Sequence, residues 1–253
     1  MDYQKFSEIS PCDYAGTLKR ESFMDAGMKE LWANIPRISG PAFTVNMVAG
    51  ENLALHRAIY EAPVGSIIVA QSNTMDYAVI GGNVAMIAYK RGIVGFVIDG
   101  VVRDIAEIRE NKIPIFGRGV LAMPGSKKQA VAVNTPITAG GISVNPGDII
   151  IADEEGIAVI PKDRAEEIYQ KCKEKVKKEV IAGLNSLKIE NSASHAEFKI
   201  TPEGKVKIIE IGARMGGDCI GSDLVQISTG YDFLKMVIDV ALGNKPDFTK
   251  VTN

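Results

Sequence analysis

Between Pro41 and Phe116 the chain alternates apolar runs with amphipathic stretches, and this alternation limits its folds more than any other feature. Pro41–Val48, Ser66–Ala70, Gly95–Asp99 and Pro114–Phe116 are short and rich in β-branched or aromatic residues, as buried strands are. Asn52–Glu61, Asn83–Arg91 and Arg103–Asn111 carry apolar residues near a 3.6-residue period, as helices do. Strand and helix in turn predict an α/β core. The first strand is expected to begin after a Ser39-Gly40-Pro41 turn, and the third to stop at Asp99-Gly100.

The flanks read differently. Residues 1–35 look helical, from the apolar spacing in Asp13–Leu18 and Glu21–Trp32, with Pro36 as the stop. After Met123 come short β segments, Ala130–Val133, Ile142–Val144, Asp148–Ala152 and Gly156–Ile160, separated by Gly-, Pro- and Asp-rich turns. A charged helix is predicted over Lys162–Lys178, then a linker over 181–193, which sets a boundary near residue 182 and two parts, 1–180 and 183–253. In the second part His195–Thr201 and Lys205–Ile211 form a hairpin turning at Pro202–Gly204. Ser222 is a candidate helix cap, and Asp232–Leu242 is a helix stopped by Gly243.

Composition narrows the partners. With 253 residues, 46% hydrophobic and 24% charged, the chain can bury a real core. Lys and Arg number 29 against 31 Asp and Glu, and aromatics are only 6%, so neither a basic field nor a base-stacking platform is present, which argues against nucleic acid. Cys12, Cys172 and Cys219 form no CxxC pair, which speaks against a disulfide framework or structural zinc. MDYQKFSEIS is no signal peptide, and no apolar run is long enough for a membrane helix, so a cytoplasmic protein without a membrane partner is expected.

The chemistry gathers between Gly81 and Glu107. Gly81-Gly82 precedes a helix whose first-turn N–H groups can hold a carboxylate or phosphate, although the pair also serves as a plain tight turn. Asp99 ends a strand, where α/β proteins place function, and is equally a turn former in Asp-Gly. Arg103 and Asp104 open the next helix, and Asp104 and Glu107 share a face of it. Such hard oxygens suit Mg²⁺, and the guanidinium beside them can neutralise an oxyanion. Taken singly, these residues also read as a helix-dipole partner and a surface ion pair. His56, on an amphipathic helix, reads as structural.

Together they form a pattern: Gly82, twenty residues, Arg103-Asp104, two residues, Glu107. With Val97–Asp104 and Asn145–Pro161, this makes residues 1–180 resemble the RraA-like family, which includes the 4-hydroxy-4-methyl-2-oxoglutarate aldolases. The resemblance implies an α/β fold, a β/β/α sandwich like the swivelling phosphohistidine domain, assembled as homotrimers or hexamers. It implies that Asp104 binds Mg²⁺ or Mn²⁺, that Arg103 contacts a 2-oxo acid, and that the backbone of Gly82, Asn83, Val84 and Ala85 holds the pyruvyl carboxylate. Asp99 and Glu107 would orient the metal's waters, and one of those waters would serve as base. The implied reaction is metal-dependent cleavage of a 2-oxo acid to pyruvate, as an aldolase or an oxaloacetate decarboxylase. Regulators of ribonucleases share the scaffold and tend to lack part of the acidic pattern, which this chain keeps, so a non-catalytic regulator is the second reading.

The second part, a small α+β hairpin-and-helix segment, resembles the end of an ATP-grasp carboxylate–amine ligase in His195–Phe198, Ile209–Asp218 and Ser228–Asp232. That resemblance implies that Glu197 and Glu210 match Mg²⁺–ATP ligands and Arg214 a phosphate or substrate contact. Gly212 stands where many such ligases have Asn, and the phosphate-binding lysine and adenine pocket would have to lie in residues already assigned to another fold. The tail therefore reads as a fragment packed for stability, and ligase chemistry as the third reading.

Overall fold

The computed structural model describes residues 3–251 apart from residues 130, 202–204 and 218. The chain divides into two compact units, Met1–Cys172 and Lys173–Asn253.

In the first unit the elements run α1 (Pro11–Tyr14), β1 (Lys29–Glu30), β2 (Ile38–Asn46), α2 (Leu53–Glu61), β3 (Ile67–Gln71), α3 (Gly82–Lys90), β4 (Gly95–Val102), α4 (Ile105–Glu110), β5 (Ile115–Val120), β6 (Ile137–Ala139), β7 (Ile142–Val144), β8 (Ile149–Asp153) and β9 (Gly156–Ile160). Seven strands form one sheet in the order β1-β5-β4-β3-β2-β8-β9. β2 to β5 are parallel and joined through α2, α3 and α4, the α/β arrangement that the alternation predicts. β8 and β9 continue the sheet antiparallel. Phe23 bridges Ala158 of β9, and a few residues later β1 pairs with β5, so one short segment links the two ends of the curled sheet.

Side-chain alternation builds two cores from the same strands. Ile68, Ala70, Phe96 and Ile98 face α2 and α3 together with Leu55, Ile59 and Ala88. Their neighbours Ile67, Val69 and Val97 face the inside of the curl with Ile38, Phe116, Ile150 and Val159. A third cluster joins Phe6, Tyr14, Ile149, Ile151, Ile168 and Tyr169 on the far side of β8 and β9. Each fully buried Ile, Val or Phe stabilises by about 1.5–3 kcal/mol.

Several expectations are corrected. The described residues of the N-terminal stretch, 3–35, hold one four-residue helix and short 3₁₀ turns instead of a long helix. The reason is tertiary: the N–H groups of Met24, Asp25 and Leu31 donate to the carbonyls of Ile157, Gly140 and Ile115, so helix hydrogen bonds give way to sheet ones. Ser39, Gly40 and Pro41 lie inside β2 rather than in a turn; Gly40 pairs with Ile150, and a Cβ there would meet the Gly65 carbonyl at 2.5 Å. β4 does not stop at Asp99 but runs through a register shift to Val102. Of the segment Ala130–Val133, Ala130 lies outside the described residues, and Val133 makes a single bridge to Val45 instead of a strand.

The second unit is simpler. α5 (Ala165–Ser186) begins in the first unit and runs past the division, so it covers part of the segment expected to be a linker. β10 (His195–Ile200) and β11 (Val206–Gly212) pair antiparallel as expected; the hairpin turn at Pro202–Gly204 lies outside the described residues. A Cβ on Gly183 would meet Ile208 and Ile211 at 2.6 and 2.5 Å, so the glycine lets α5 approach the hairpin closely. Ser222 sits in the π-helical turn Ile220–Leu224 and donates to Asp223 rather than capping; α6 (Val225–Thr229) follows directly. α7 (Phe233–Ala241) begins at the cap Asp232, whose carboxylate accepts from the Lys235 N–H, and Gly243 after it has φ +78°.

Candidate active site

The site is assembled where β4 ends. Residues 78–80 lie alongside that end: Ala78 bridges Val101, the Val79 N–H donates to the Val101 carbonyl, and the Arg103 N–H donates to Ile80 O at 2.9 Å. This sets Gly81 and the start of α3 against Arg103 and Asp104. Asp104 itself is left-handed, with φ 56° and ψ 38°, a conformation Asp tolerates better than most residues. The reversal folds its carboxylate back onto α3.

There Asp104 Oδ2 accepts from the Gly82 N–H at 3.1 Å and from Arg103 Nε at 3.2 Å. The two glycines make this approach possible. A Cβ on Gly81 would stand 2.4 Å from Asp104 Oδ2, and one on Gly82 would stand 2.2 Å from Glu107 Oε2 and 2.9 Å from Glu107 Cβ. Of the four residues expected to hold a carboxylate, Gly82 already donates to Asp104 and Ala85 to the Gly81 carbonyl. The N–H groups of Asn83 and Val84 are left for a ligand, and both residues line a cavity of about 250 Å³ together with Arg103 and Asp104. Arg103 and Asp104 are 39% and 33% exposed, so they are reachable by a small molecule.

The cavity is lined as well by Asn52, His56 and Lys127, which sequence reasoning did not assign to the site. His56 follows Asn52 by four residues on one helix face, a signal present in the sequence but masked by the apolar stripe of Leu55, Ala58 and Ile59. Burial, and then the charge of Lys127, hold the His56 pKa below its ordinary value, which favours the neutral imidazole. Lys127 sits in an irregular loop and gives no periodic signal.

Asp99 is not brought into this group. It lines a different cavity, with Arg118, Ser72 and Asn73. Arg118 Nε donates to Asp99 Oδ1, the Gly140 N–H donates to Oδ2 at 2.8 Å, and the rest of the guanidinium forks onto Asp25 at 2.8 and 3.0 Å. Both oxygens of Asp99 are thus engaged in holding β4, β5 and the β6–β7 turn together. The Arg118 hydrogen bonds also hold the Asp25 carboxyl below its usual range.

An Mg²⁺ or Mn²⁺ ion takes one or two carboxylates and keeps several waters. Asp104 suits that role: Oδ2 is fixed by two donors, and Oδ1 makes no hydrogen bond among the described residues. Glu107 lies over the adjacent glycine. Among the described residues no three His, Cys, Asp or Glu side chains converge on one point.

In the second unit Glu197 stands directly opposite Glu210 on the hairpin, Arg214 Nη2 lies 3.5 Å from Glu210 Oε1, and His195 Nε2 lies 3.7 Å from Glu197 Oε1. Both glutamates are more than half exposed.

Residues 10–159 match the family model described as RraA-like, Aldolase/RraA. The chain belongs to the RraA-like family. It is 41% identical over 141 residues, 55% of this chain and 67% of the relative, to a Halalkalibacterium halodurans protein named "Putative 4-hydroxy-4-methyl-2-oxoglutarate aldolase". It is 29% identical over 127 residues, 50% of this chain and 77% of the relative, to the 4-hydroxy-4-methyl-2-oxoglutarate aldolase of Thermus thermophilus. Among solved structures, Streptomyces coelicolor RraAS2, described as an unusual member of the RNase ES inhibitor RraA family, aligns with a TM-score of 0.63 at 26% identity, over 72% of this chain and 96% of that one. The RraA-like fold therefore holds for the first unit, and relatives named as aldolases support a lyase. No helix among the described residues is long and apolar enough to cross a membrane.

Proposed function

We propose that the chain is a carbon–carbon lyase that releases pyruvate from a 2-oxo acid, either 4-hydroxy-4-methyl-2-oxoglutarate or oxaloacetate. The observation that carries the reading is the corner where the open N–H groups of Asn83 and Val84 meet Arg103 and Asp104 in one cavity. The N–H pair at the helix start holds the carboxylate next to the keto group. Arg103, steadied by Asp104, donates to the keto oxygen and stabilises the negative charge that grows there. The C3–C4 bond breaks and its electron pair passes into the pyruvate enolate. Carbon dioxide leaves from oxaloacetate; from the aldol substrate a ketone leaves as its carbinol gives up a proton. C3 then takes a proton from water. An Mg²⁺ or Mn²⁺ ion held by Asp104 supplies Lewis-acid polarisation of the same oxygen when bound. In this reading Asp99 supports the scaffold, and the working form is a cytoplasmic homotrimer or hexamer.

Pyruvate release from both substrates, with Mg²⁺ and with EDTA, tests the reading. Asp104→Asn is the cleaner variant, because Asn keeps the left-handed backbone while removing the charge. Release that depends on the metal and falls by about a thousandfold in the variant supports the lyase. No release from a folded sample rejects it and favours the second reading, a protein-binding regulator, which the likeness to RraAS2 supports. The ATP-grasp reading of the tail rests on the Glu197–Glu210 pairing alone.

A further inference from the structure

The loop over residues 124–129 has no strand or helix of its own, yet it forms one rim of the cavity through Pro124, Gly125 and Lys127. Its hydrogen bonds run almost entirely to the turn before α2. The Ser126 N–H donates to Gly50 O at 2.7 Å, and the Asn52 N–H donates to Ser126 O at 2.8 Å. A Cβ on Gly125 would lie 3.0 Å from the Gly50 carbonyl, so the two segments are in close contact.

Glu51 is the fastener. It is only 9% exposed, and among the described residues it forms no ion pair with a Lys or Arg side chain. Its Oε1 accepts from the Ser126 hydroxyl, and its Oε2 accepts from the N–H groups of Lys128 and Gln129 at 2.7 and 3.2 Å. These donors hold its carboxyl below the usual range, so it is ionised at neutral pH. A buried carboxylate bound to residues 126, 128 and 129 leaves residue 127 as the position that projects away from it. Lys127 lines the same cavity as Arg103, and its charge, after burial, lowers the pKa of His56. No carboxylate among the described residues forms a salt bridge with it.

We propose that Glu51 is a positioning residue: by clamping the 124–129 loop it holds Lys127 against the cavity, where the ammonium receives a second anionic group of the substrate, remote from the one at α3. This rests on the lyase reading for its substrate class, a 2-oxo acid with two carboxylates. Two cationic side chains lining so small a cavity select a short dianion over a monoanion.

Kinetics and binding on the full chain test it. Glu51→Ala is expected to raise KM for oxaloacetate about tenfold while kcat stays within about threefold, since the reacting corner is untouched. Lys127→Met is expected to raise KM as well, and the double variant to have a KM no higher than Lys127→Met alone, because both changes remove one interaction. A fall in kcat at unchanged KM, or KM effects that multiply in the double variant, would overturn the assignment. Calorimetry with 2-oxoglutarate and with pyruvate gives a readout independent of turnover. Glu51→Gln, which keeps the shape and serves if the alanine variant does not fold, is expected to weaken 2-oxoglutarate about tenfold and pyruvate less than twofold. Equal weakening of both, or no binding of either by the parent chain, rejects the proposal. Selective weakening in a parent chain that releases no pyruvate rejects the lyase reading and keeps the clamp.

Discussion

Asp99, inside β4, and Asp104, just past its end, stand five residues apart, and their surroundings give them opposite employment. Asp99 spends both oxygens inside the protein, on Arg118 and the Gly140 N–H. Asp104 spends one oxygen, on Gly82 and Arg103, and keeps the other free beside a cavity. A carboxylate at a strand's C-terminal end is therefore no guide to function until its hydrogen bonds are counted: the saturated one holds elements together, and the half-saturated one can meet a ligand.

Exchanging the two acids in turn breaks or sharpens this contrast. Asp104→Asn should abolish most pyruvate release and shift the melting temperature by no more than a few degrees. Asp99→Ala should do the reverse. It leaves the Gly140 N–H and Arg118 Nε without their acceptor, a cost of about 2 kcal/mol, or roughly 4–8 °C in thermal unfolding, with turnover per folded molecule kept within a few-fold. If Asp99→Ala silenced a folded enzyme, the assignment of Asp99 to the scaffold would be wrong.

A smaller change probes the corner without touching an acid. Gly81→Ala puts a methyl 2.4 Å from Asp104 Oδ2, and Gly81 has φ −131°, so the backbone accepts alanine. Displacing the carboxylate should lower kcat/KM by about 10–100-fold, with little effect on melting. Melting and turnover falling together would mean that the glycine serves packing alone.

The smallest effect concerns acid. Arg118 depresses the Asp25 pKa, so this carboxylate adds stability above its ordinary range and loses it as pH falls through the depressed value. Unfolding followed from pH 7 downward should show a stability decline beginning near ~4, and Arg118→Met should flatten that limb. An unchanged acid limb in the variant would remove Asp25 from the account.

How much of this was legible in the sequence follows from what each segment bonds to. The region 41–117 reads well because its strands are buried on both faces and its helices on one, so periodicity reports the contact directly. Gly82, Arg103, Asp104 and Glu107 were legible as a spaced pattern, and the structure brings them to one corner. Glu21–Trp32 misleads because its apolar spacing suits a helix while its backbone closes the ends of the sheet. Asp99 misleads because its partners, Asp25 through Arg118 and Gly140, lie in segments that no local pattern connects to it. The far side of the loop is hidden for the same reason: the segment that carries Lys127 is tied to Gly50, Glu51 and Asn52, and Glu51 is 76 residues away.

The bare α-carbons at 81 and 82 have a consequence for sorting relatives of this chain. A homologue that keeps every acid and the arginine but carries a side chain at either position has to move the Asp104 or Glu107 carboxylate from where it stands here. Counting carboxylates would class such a chain with the lyases. Reading the two glycines first would set it apart, since at this corner an absent atom, more than a present charge, records whether a substrate can be held.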